Sequence, residues 1–166
     1  MRKDGRRCHF VKLNSSRCSV WEASVQVLLS IHPEHADKIL SGEKRFEFRK
    51  SIFKNPAVTR VLIYATMPVG KVIGDFEIGG VIDGRPTKVW ESTKAHAGIS
   101  REFFRSYFNG RERAVAIEVR NPRRFESPRG LDEVERGMVA PQSFRYVDPL
   151  VSANWQAICG GNNLLE

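Results

Sequence analysis

The sequence predicts an α+β domain, in which a small β-barrel of mixed strands is decorated with two or three short helices. Strand-like segments outnumber segments with a helical period. Glycines interrupt these strand-like segments, as they do in strongly bent or closed sheets. The chain has 166 residues, of which 41% are hydrophobic, enough for one buried core and too few for two.

The first predicted elements alternate strands with one helix. The continuously apolar segment 27–31 predicts a buried strand. Pro33 suits the first position of a helix, and Gly42 suits the position just after its C-terminal end. Alternating polar and aromatic residues over 45–49 predict a strand with one face in the core.

The later elements are mostly strands. A helix is predicted to begin after Ser100, whose hydroxyl suits an N-cap, and to end near Gly110. Pro122 is predicted to end the last strand, because proline cannot donate a backbone hydrogen bond. The helix after Ser100 is predicted to bury Phe103, Phe104 and Tyr107. The remaining predictions are strands over residues 60–66, 72–82 and 114–119, and a helix over residues 89–94.

The two ends of the chain differ from its middle. Residues 1–24 carry six Lys or Arg against two acidic residues and lack hydrophobic periodicity, so we expect a disordered basic tail. Residues 148–166 are predicted to be loosely ordered, which leaves a domain over residues 25–147. No apolar stretch has the length of a signal peptide or membrane span, so we expect a cytoplasmic protein with no membrane partner.

The three cysteines are Cys8, Cys18 and Cys159. An odd count without CxxC spacing predicts neither a disulfide framework nor a zinc site and favours a reducing compartment. His32 and His35 share a helix face, but two ligands make a poor metal site. We therefore expect no metal and no cofactor.

The charge favours an anionic partner. Lys and Arg number 27 against 19 Asp and Glu, a formal net charge of +8. Nucleic acid is the first candidate for such a basic chain. The basic stretch over residues 120–129, with Phe125 interleaved, is typical of contacts to an RNA backbone; a solvated surface loop is the alternative.

Two adjoining segments carry a family resemblance. Residues 30–33 are Ser-Ile-His-Pro, and residues 42–49 are Gly-Glu-Lys-Arg-Phe-Glu-Phe-Arg. The pattern resembles the opening of ASCH domains, a branch of the PUA-like superfamily: a strand end with Ser-Ile-x-Pro, a short helix, then Gly-x-Lys-x-x-Glu-x-Arg. Residues 63–69 and 72–76 resemble the strands that follow, and residues 140–146 resemble the closing segment of one ASCH subgroup.

The resemblance implies a PUA-like pseudo-barrel with a cleft beside residues 42–49. It implies association with RNA or a modified nucleotide, with DNA as an alternative partner. Some ASCH relatives are hydrolases, including an amidohydrolase of acetylated cytidine and reported ribonucleases. Others are described as predicted transcriptional regulators, often with an added helix-turn-helix domain, which we do not find in this sequence.

The chemistry of the cleft follows from three residues. Lys44 can bind a phosphate or, if desolvated, act as a base. Glu47 can accept hydrogen bonds from a base amino group or serve as a general base, and Arg49 offers a planar fork for phosphate or guanine. Alternation places Arg45, Glu47 and Arg49 on one strand face, so Lys44 joins them only if it belongs to the turn after Gly42. A solvated ladder of charges is the alternative.

The leading hypothesis is a nucleic-acid-binding module. A base is expected near Glu47, Tyr64 and Gln142, and phosphates near Lys44, Arg49 and Lys50. The predicted binding residues are Lys44, Arg45, Glu47, Arg49, Lys50, Tyr64, Thr66, Gln142, Ser143 and Arg145.

The alternatives are an enzyme and a transcriptional regulator. The enzyme would be a metal-independent hydrolase of a modified nucleoside or a ribonuclease, using Lys44 and Glu47 with His96. The acetylcytidine hydrolases have threonine at the position of Glu47 and glutamate near that of His96, so the sequence departs from their catalytic set at two of three positions. The sequence alone leaves binding and turnover open.

Overall fold

The structure, a computed structural model, describes residues 25–147. The tails predicted at 1–24 and 148–166, and with them the three cysteines, lie outside the described residues, and the domain boundaries stay predictions. The strands are β1 (Val25–Ile31), β2 (Phe46–Arg49), β3 (Val58–Ala65), β4 (Lys71–Gly84), β5 (Ala114–Arg129) and β6 (Phe144–Val147). The helices are α1 (Pro33–Leu40), α2 (Pro86–Thr93), α3 (Arg101–Tyr107) and α4 (Leu131–Val134), with a 3₁₀ turn over Lys94–His96.

The six strands form one mixed sheet in the order β2-β5-β4-β3-β1-β6. β1 runs parallel to β3, and the other neighbours are antiparallel. Both faces of the central strands are covered: Leu29 and Ile31 enter one core, while Leu28 enters another on the opposite face. Burial on both faces explains why the β1 segment is continuously apolar rather than alternating.

The two edges of the sheet approach each other at Arg49. The mixture of strands and short helices confirms the α+β class. Among the described residues no backbone ladder joins β2 to β6, so the predicted closed barrel is not confirmed. The Arg49 guanidinium instead donates to the Ser30 carbonyl at 3.0 Å and to the Ser143 carbonyl and hydroxyl, both at 2.8 Å. A side chain therefore links β2 to the β1–β6 edge.

Helix α1 follows the prediction closely. Pro33 occupies its first turn, and Ser41 caps its C-terminus. Gly42 then has a φ of +82°, the left-handed conformation that favours glycine just after a helix. The helix buries Ala36 and Ile39 against the sheet.

Strand β5 continues past Pro122, contrary to the prediction. Arg120 pairs with Glu77, and Arg123 pairs with Asp75, so Asn121 and Pro122 together oppose one residue of β4. This is a β-bulge, and Asn121 has a φ of +46°. Proline is tolerated because a bulged residue makes no ladder hydrogen bond.

One helical prediction needs correction, and one helix was not predicted. Ser100 caps α3 as expected, accepting from the Phe103 N–H at 3.1 Å. Phe104 is buried, but Phe103 is 48% exposed, because adjacent helical residues project about 100° apart. Helix α4 has no counterpart among the predicted elements; its four residues give no periodic signal, and Glu133 begins it by accepting from the Gly130 N–H at 2.9 Å.

In the part of the chain that the structure describes, no helix is both long enough and apolar enough to cross a membrane.

Replacement of Gly74 by alanine tests how α1 packs on the sheet. A Cβ at Gly74 would lie 2.4 Å from the Arg123 carbonyl oxygen and 2.7 Å from Leu40 Cδ2. Because a ladder carbonyl cannot move away, we expect Gly74→Ala to lower the free energy of unfolding by about 1–3 kcal/mol in denaturant titrations. Gly84→Ala, in open space at the end of the same strand, is the control and should change it by less than about 0.5 kcal/mol. Equal effects of the two variants would contradict the packing described.

Candidate functional site

Lys44 lies in the turn between α1 and β2, which is the condition for it to join Glu47. Its N–H donates to the Lys38 carbonyl at 2.9 Å, and the next N–H donates to the His96 carbonyl at 3.0 Å. Gly98 packs against it so closely that a Cβ there would lie 2.5 Å from Lys44 Cβ. The turn is therefore held on both sides, and the Lys44 side chain is only 2% exposed.

The Lys44 ammonium group forms a buried ion pair. Nζ donates to Glu47 Oε2 at 2.6 Å and to the Phe46 carbonyl at 2.5 Å, and it lies 5.2 Å from the centroid of the Phe48 ring. The exposed fractions of the paired side chains are 2% and 7%. Desolvation offsets much of the attraction in a buried pair, so such a pair stabilises a fold little. It does fix the position of both charges.

Arg49 completes a cluster of three charges. Its NH1 lies 3.6 Å from Glu47 Oε1, while the same guanidinium bonds Ser30 and Ser143. Glu47 thus lies between two cations, and Ser143 is connected to the cluster through Arg49. The predicted alternation of Arg45, Glu47 and Arg49 agrees with this arrangement for Glu47 and Arg49 but not for Arg45.

The cluster borders an open cavity of about 630 Å³, which we call the Lys44 cavity. Helix α1, strand β2 and helix α3 enclose it. Its volume is within the range of sites for small ligands or single nucleotides. The lining residues that bear on its chemistry are Glu34, Lys38, Lys44, Glu47, Arg49, His35, Phe103 and Tyr107. Lys38 pairs with Glu34 at 2.9 Å.

His35 supplies a neutral imidazole to the cavity. Burial lowers the pKa of His35, and the Lys44 charge lowers it further, outweighing Glu47 and Glu34. Its Nδ1 is buried and has no hydrogen-bond partner among the described residues. A neutral imidazole carries one nitrogen able to accept a proton. Its ring packs edge-on against Phe103, with centroids 5.3 Å apart.

Tyr107 supplies a protonated phenol. Burial raises the pKa of Tyr107 and Glu47 adds to the effect, while Arg49 and Arg111 oppose it. The hydroxyl therefore remains a hydrogen-bond donor at neutral pH. Lys50 lies over the ring, its Nζ 4.7 Å from the centroid, which places a further exposed cation at the edge of the cavity.

Four predicted binding residues lie away from the cavity. Tyr64 is 7% exposed and packs in the core on the opposite face of the sheet, because its strand position points that way. Thr66 follows β3 in a turn, and Gln142 is exposed before β6. Arg145 pairs with Glu135 at 2.5 Å.

Arg45 and His96 border a different cavity of about 390 Å³, which Lys44 also touches. Glu47 does not line it, and His96 does not line the Lys44 cavity. The proposed set of Lys44, Glu47 and His96 is therefore not assembled around one space. Arg45 precedes the first residue of β2, and its side chain is exposed and lines this second cavity instead of joining Glu47 and Arg49.

The basic stretch over residues 120–129 is neither a loop nor an unpaired basic surface. It forms the second half of β5, and Phe125 is buried in a core. Its arginines pair with carboxylates as follows: Arg120 with Glu118, Arg123 with Asp75, Arg124 with Asp37, and Arg129 with Glu133.

Three residues of the cavity are not predicted as site residues by the sequence. Its patterns present His35 only as a candidate metal ligand and assign Phe103 and Tyr107 to the core. One signal for Phe103 was available in the sequence. Phe103 and Phe104 are adjacent in a seven-residue helix and cannot both face the same core, so one of them had to line another surface. Over residues 25–147 no group of three or more His, Cys, Asp or Glu is placed to hold a metal ion.

Residues 29–128 match the family model of the ASCH domain. The chain belongs to the ASCH family. It is 33% identical over 124 residues to an ASCH domain-containing ribonuclease of Zymomonas mobilis, covering 74% of this chain and 84% of that protein. A crystal structure of ASCH from Zymomonas mobilis superposes with a TM-score of 0.74 at 30% identity, over 82% of this chain and 96% of that one.

The resemblance seen in residues 30–33 and 42–49 is thereby confirmed, and with it membership of the PUA-like superfamily. The N-terminal domain of Staphylothermus marinus McrB also superposes, with a TM-score of 0.52 over 82% of this chain and 94% of that one. At 11% identity this is a likeness of fold alone.

Replacement of Gly98 by alanine tests the close packing against Lys44. Gly98 has a φ of +64°, and Gly110, with a φ of +69°, has nothing within 4 Å of the position that a Cβ would take. Both alanine variants incur backbone strain of about 1–3 kcal/mol. Only Gly98→Ala adds a clash, so we expect it to destabilise by a further about 1–3 kcal/mol in denaturant titrations. Equal losses in the two variants would show that Lys44 is not held by this contact.

Proposed function

We propose that this ASCH protein binds single-stranded RNA and cleaves it in the Lys44 cavity. One observation carries the proposal: two cations fixed by a buried carboxylate lie beside a neutral imidazole and a protonated phenol around one open space. The similarity to a protein described as a ribonuclease supports RNA as the substrate class. The predicted roles of Lys44, Glu47 and Arg49 in nucleic-acid binding become part of this proposal.

Binding uses charge and stacking. Lys44 and Arg49 attract a phosphate into the cavity, with Lys50 at its edge. Lys38 also lines the cavity but is paired with Glu34. The half-exposed Phe103 ring offers a face on which a base can stack. Single-stranded RNA fits these features because its bases are accessible for stacking.

Cleavage uses the two titratable groups. The 2′-oxygen of a ribose attacks the adjacent phosphorus, and its proton passes to Nε2 of the neutral His35, because Nδ1 is buried. The bond from phosphorus to the 5′-oxygen breaks, and Tyr107 donates a proton to that leaving oxygen. The products are a 2′,3′-cyclic phosphate and a 5′-hydroxyl, and the proton on His35 returns to Tyr107 through solvent. Lys44 and Arg49 stabilise the charge that develops on the phosphate oxygens.

Glu47 acts as a positioning residue in this scheme. One oxygen accepts from Lys44 and the other lies near Arg49, so neither is directed at a substrate proton. Its carboxylate holds the Lys44 ammonium group at the cavity floor. This assignment replaces the general-base role considered from the sequence.

Replacement of Lys44 by methionine tests the catalytic site. The variant keeps the side-chain volume but removes the charge that stabilises the transition state. We expect kcat/KM for RNA cleavage to fall about 10²–10³-fold, measured by separation of labelled products. Lys88→Met, which removes an exposed lysine of α2 that lines none of the cavities described, is the control.

Loss of Lys44 leaves Glu47 buried without its main partner, which destabilises the fold. The double variant Lys44→Met with Glu47→Gln removes that unpaired charge and keeps the experiment interpretable if the single variant unfolds. Cleavage by the folded double variant at the wild-type rate would contradict the proposal. Binding without cleavage by the wild type would reduce it to an RNA-binding module.

The pH dependence of kcat/KM tests His35. Protonated His35 cannot accept the 2′ proton, so activity rises with pH through the pKa of His35 and then reaches a plateau. Because burial lowers that pKa from its ordinary value of 6.5, we expect the midpoint of the acid limb below pH 6.5. The His35→Gln variant should lose this limb along with most activity. An acid limb centred above pH 6.5, or one unchanged in His35→Gln, would exclude His35 as the base.

A further inference from the structure

A second and larger cavity, of about 1030 Å³, lies on the other side of α3 from the Lys44 cavity. We call it the arginine groove. Trp90, Phe104 and Phe108 are buried at its floor. The cations that line it are Arg85, Arg101, Arg105, Arg111 and Arg113.

Most of these arginines have no ion-pair partner. Among the described residues only Arg113 pairs with a carboxylate, that of Asp83 at 2.6 Å. Two carboxylates also line the groove: Glu91, which is bound by Lys94, and Glu112, which has no ion pair among the described residues. The arginines of residues 120–129 are all paired, so the groove carries more uncompensated positive charge than β5 does.

Helix α3 is the wall that both cavities share. Ser100, Phe103 and Tyr107 line the Lys44 cavity, whereas Arg101 and Arg105 line the arginine groove. A helix with its side chains is about 10–12 Å across. A single extended nucleic-acid strand can cross this distance and occupy both sites.

We propose that the arginine groove binds the sugar-phosphate backbone of the same RNA strand whose cleaved nucleotides occupy the Lys44 cavity. The inference rests on the proposed function for the identity of the strand. Arginine forks bind phosphate oxygens in pairs, and four exposed guanidinium groups without a carboxylate partner around one groove suit consecutive phosphates. The groove therefore extends the RNA site beyond the nucleotides at the scissile bond.

The double variant Arg101→Gln with Arg105→Gln removes two unpaired cations from the groove. Both side chains are exposed on α3, so the fold should tolerate the change. The double variant Arg124→Gln with Arg129→Gln makes the same change of charge at ion-paired positions and is the control. The probes are a labelled trinucleotide and a single-stranded RNA of about twelve nucleotides, which is within the range of single-strand site sizes.

Fluorescence anisotropy over several salt concentrations gives Kd and its salt slope. For the longer RNA we expect the groove variant to raise Kd roughly tenfold and to reduce the slope by about 1.4, which corresponds to two phosphate contacts. The control should change Kd less than twofold, and the trinucleotide should bind equally to all three proteins. If the groove variant binds the longer RNA with the same Kd as the wild type, the inference is overturned. Equal weakening of both probes would overturn it as well.

The two proposals fail separately. Trinucleotide cleavage and its loss in Lys44→Met depend on the Lys44 cavity alone. If no RNA is cleaved but the longer RNA still needs Arg101 and Arg105, cleavage is wrong and the groove remains an RNA-binding site. If cleavage depends on Lys44 but the groove variant binds normally, the groove is wrong and cleavage stands.

Discussion

The buried ion pair between Lys44 and Glu47 is the interaction on which the rest of the site depends. It places a turn residue and a strand residue against each other at 2.6 Å, which holds the start of β2 against the end of α1. Arg49 then carries the constraint to the Ser30 and Ser143 carbonyls, so three charges also link the edges of a sheet that its backbone leaves unjoined. Such a cluster contributes little net stability because its desolvation is costly. The cluster instead fixes the positions of the three charged groups relative to one another.

Helix α3 organises the remaining chemistry. Its aromatic face gives the Lys44 cavity a stacking surface and a protonated phenol, while its arginines face a separate groove. The two sets of side chains separate because α3 is short. It buries only Phe104, and the residues on either side of Phe104 line the two cavities. Over residues 25–147 the arginine groove carries more uncompensated positive charge than β5, because the arginines of β5 pair with carboxylates.

Local signals predicted the local structure well. Pro33, Gly42 and Ser100 act through the backbone of their own helix ends, so α1 and the start of α3 could be placed from sequence. The bulge at Asn121 and Pro122 could not, because it depends on the register with β4. The side of the sheet that Tyr64 faces is likewise set by long-range pairing, and this explains why the sequence alone places it in the cleft. The Lys44–Glu47–Arg49 cluster was predictable from a contiguous motif, whereas His35 and Tyr107 join it from two separate helices.

The same burial that makes the charge cluster costly to fold also makes it suitable for phosphate chemistry. In an interior of low dielectric, a fixed ammonium group acts on a neighbouring phosphate more strongly than it does in water. It also suppresses protonation of His35, since desolvation and the Lys44 charge both lower that pKa. In the proposed function this cation thus serves two purposes: it attracts the anionic substrate, and it adds to the effect of burial in keeping the adjacent imidazole neutral and able to accept a proton. A solvated ladder of charges would provide neither effect, because water would screen the lysine and stabilise the imidazolium.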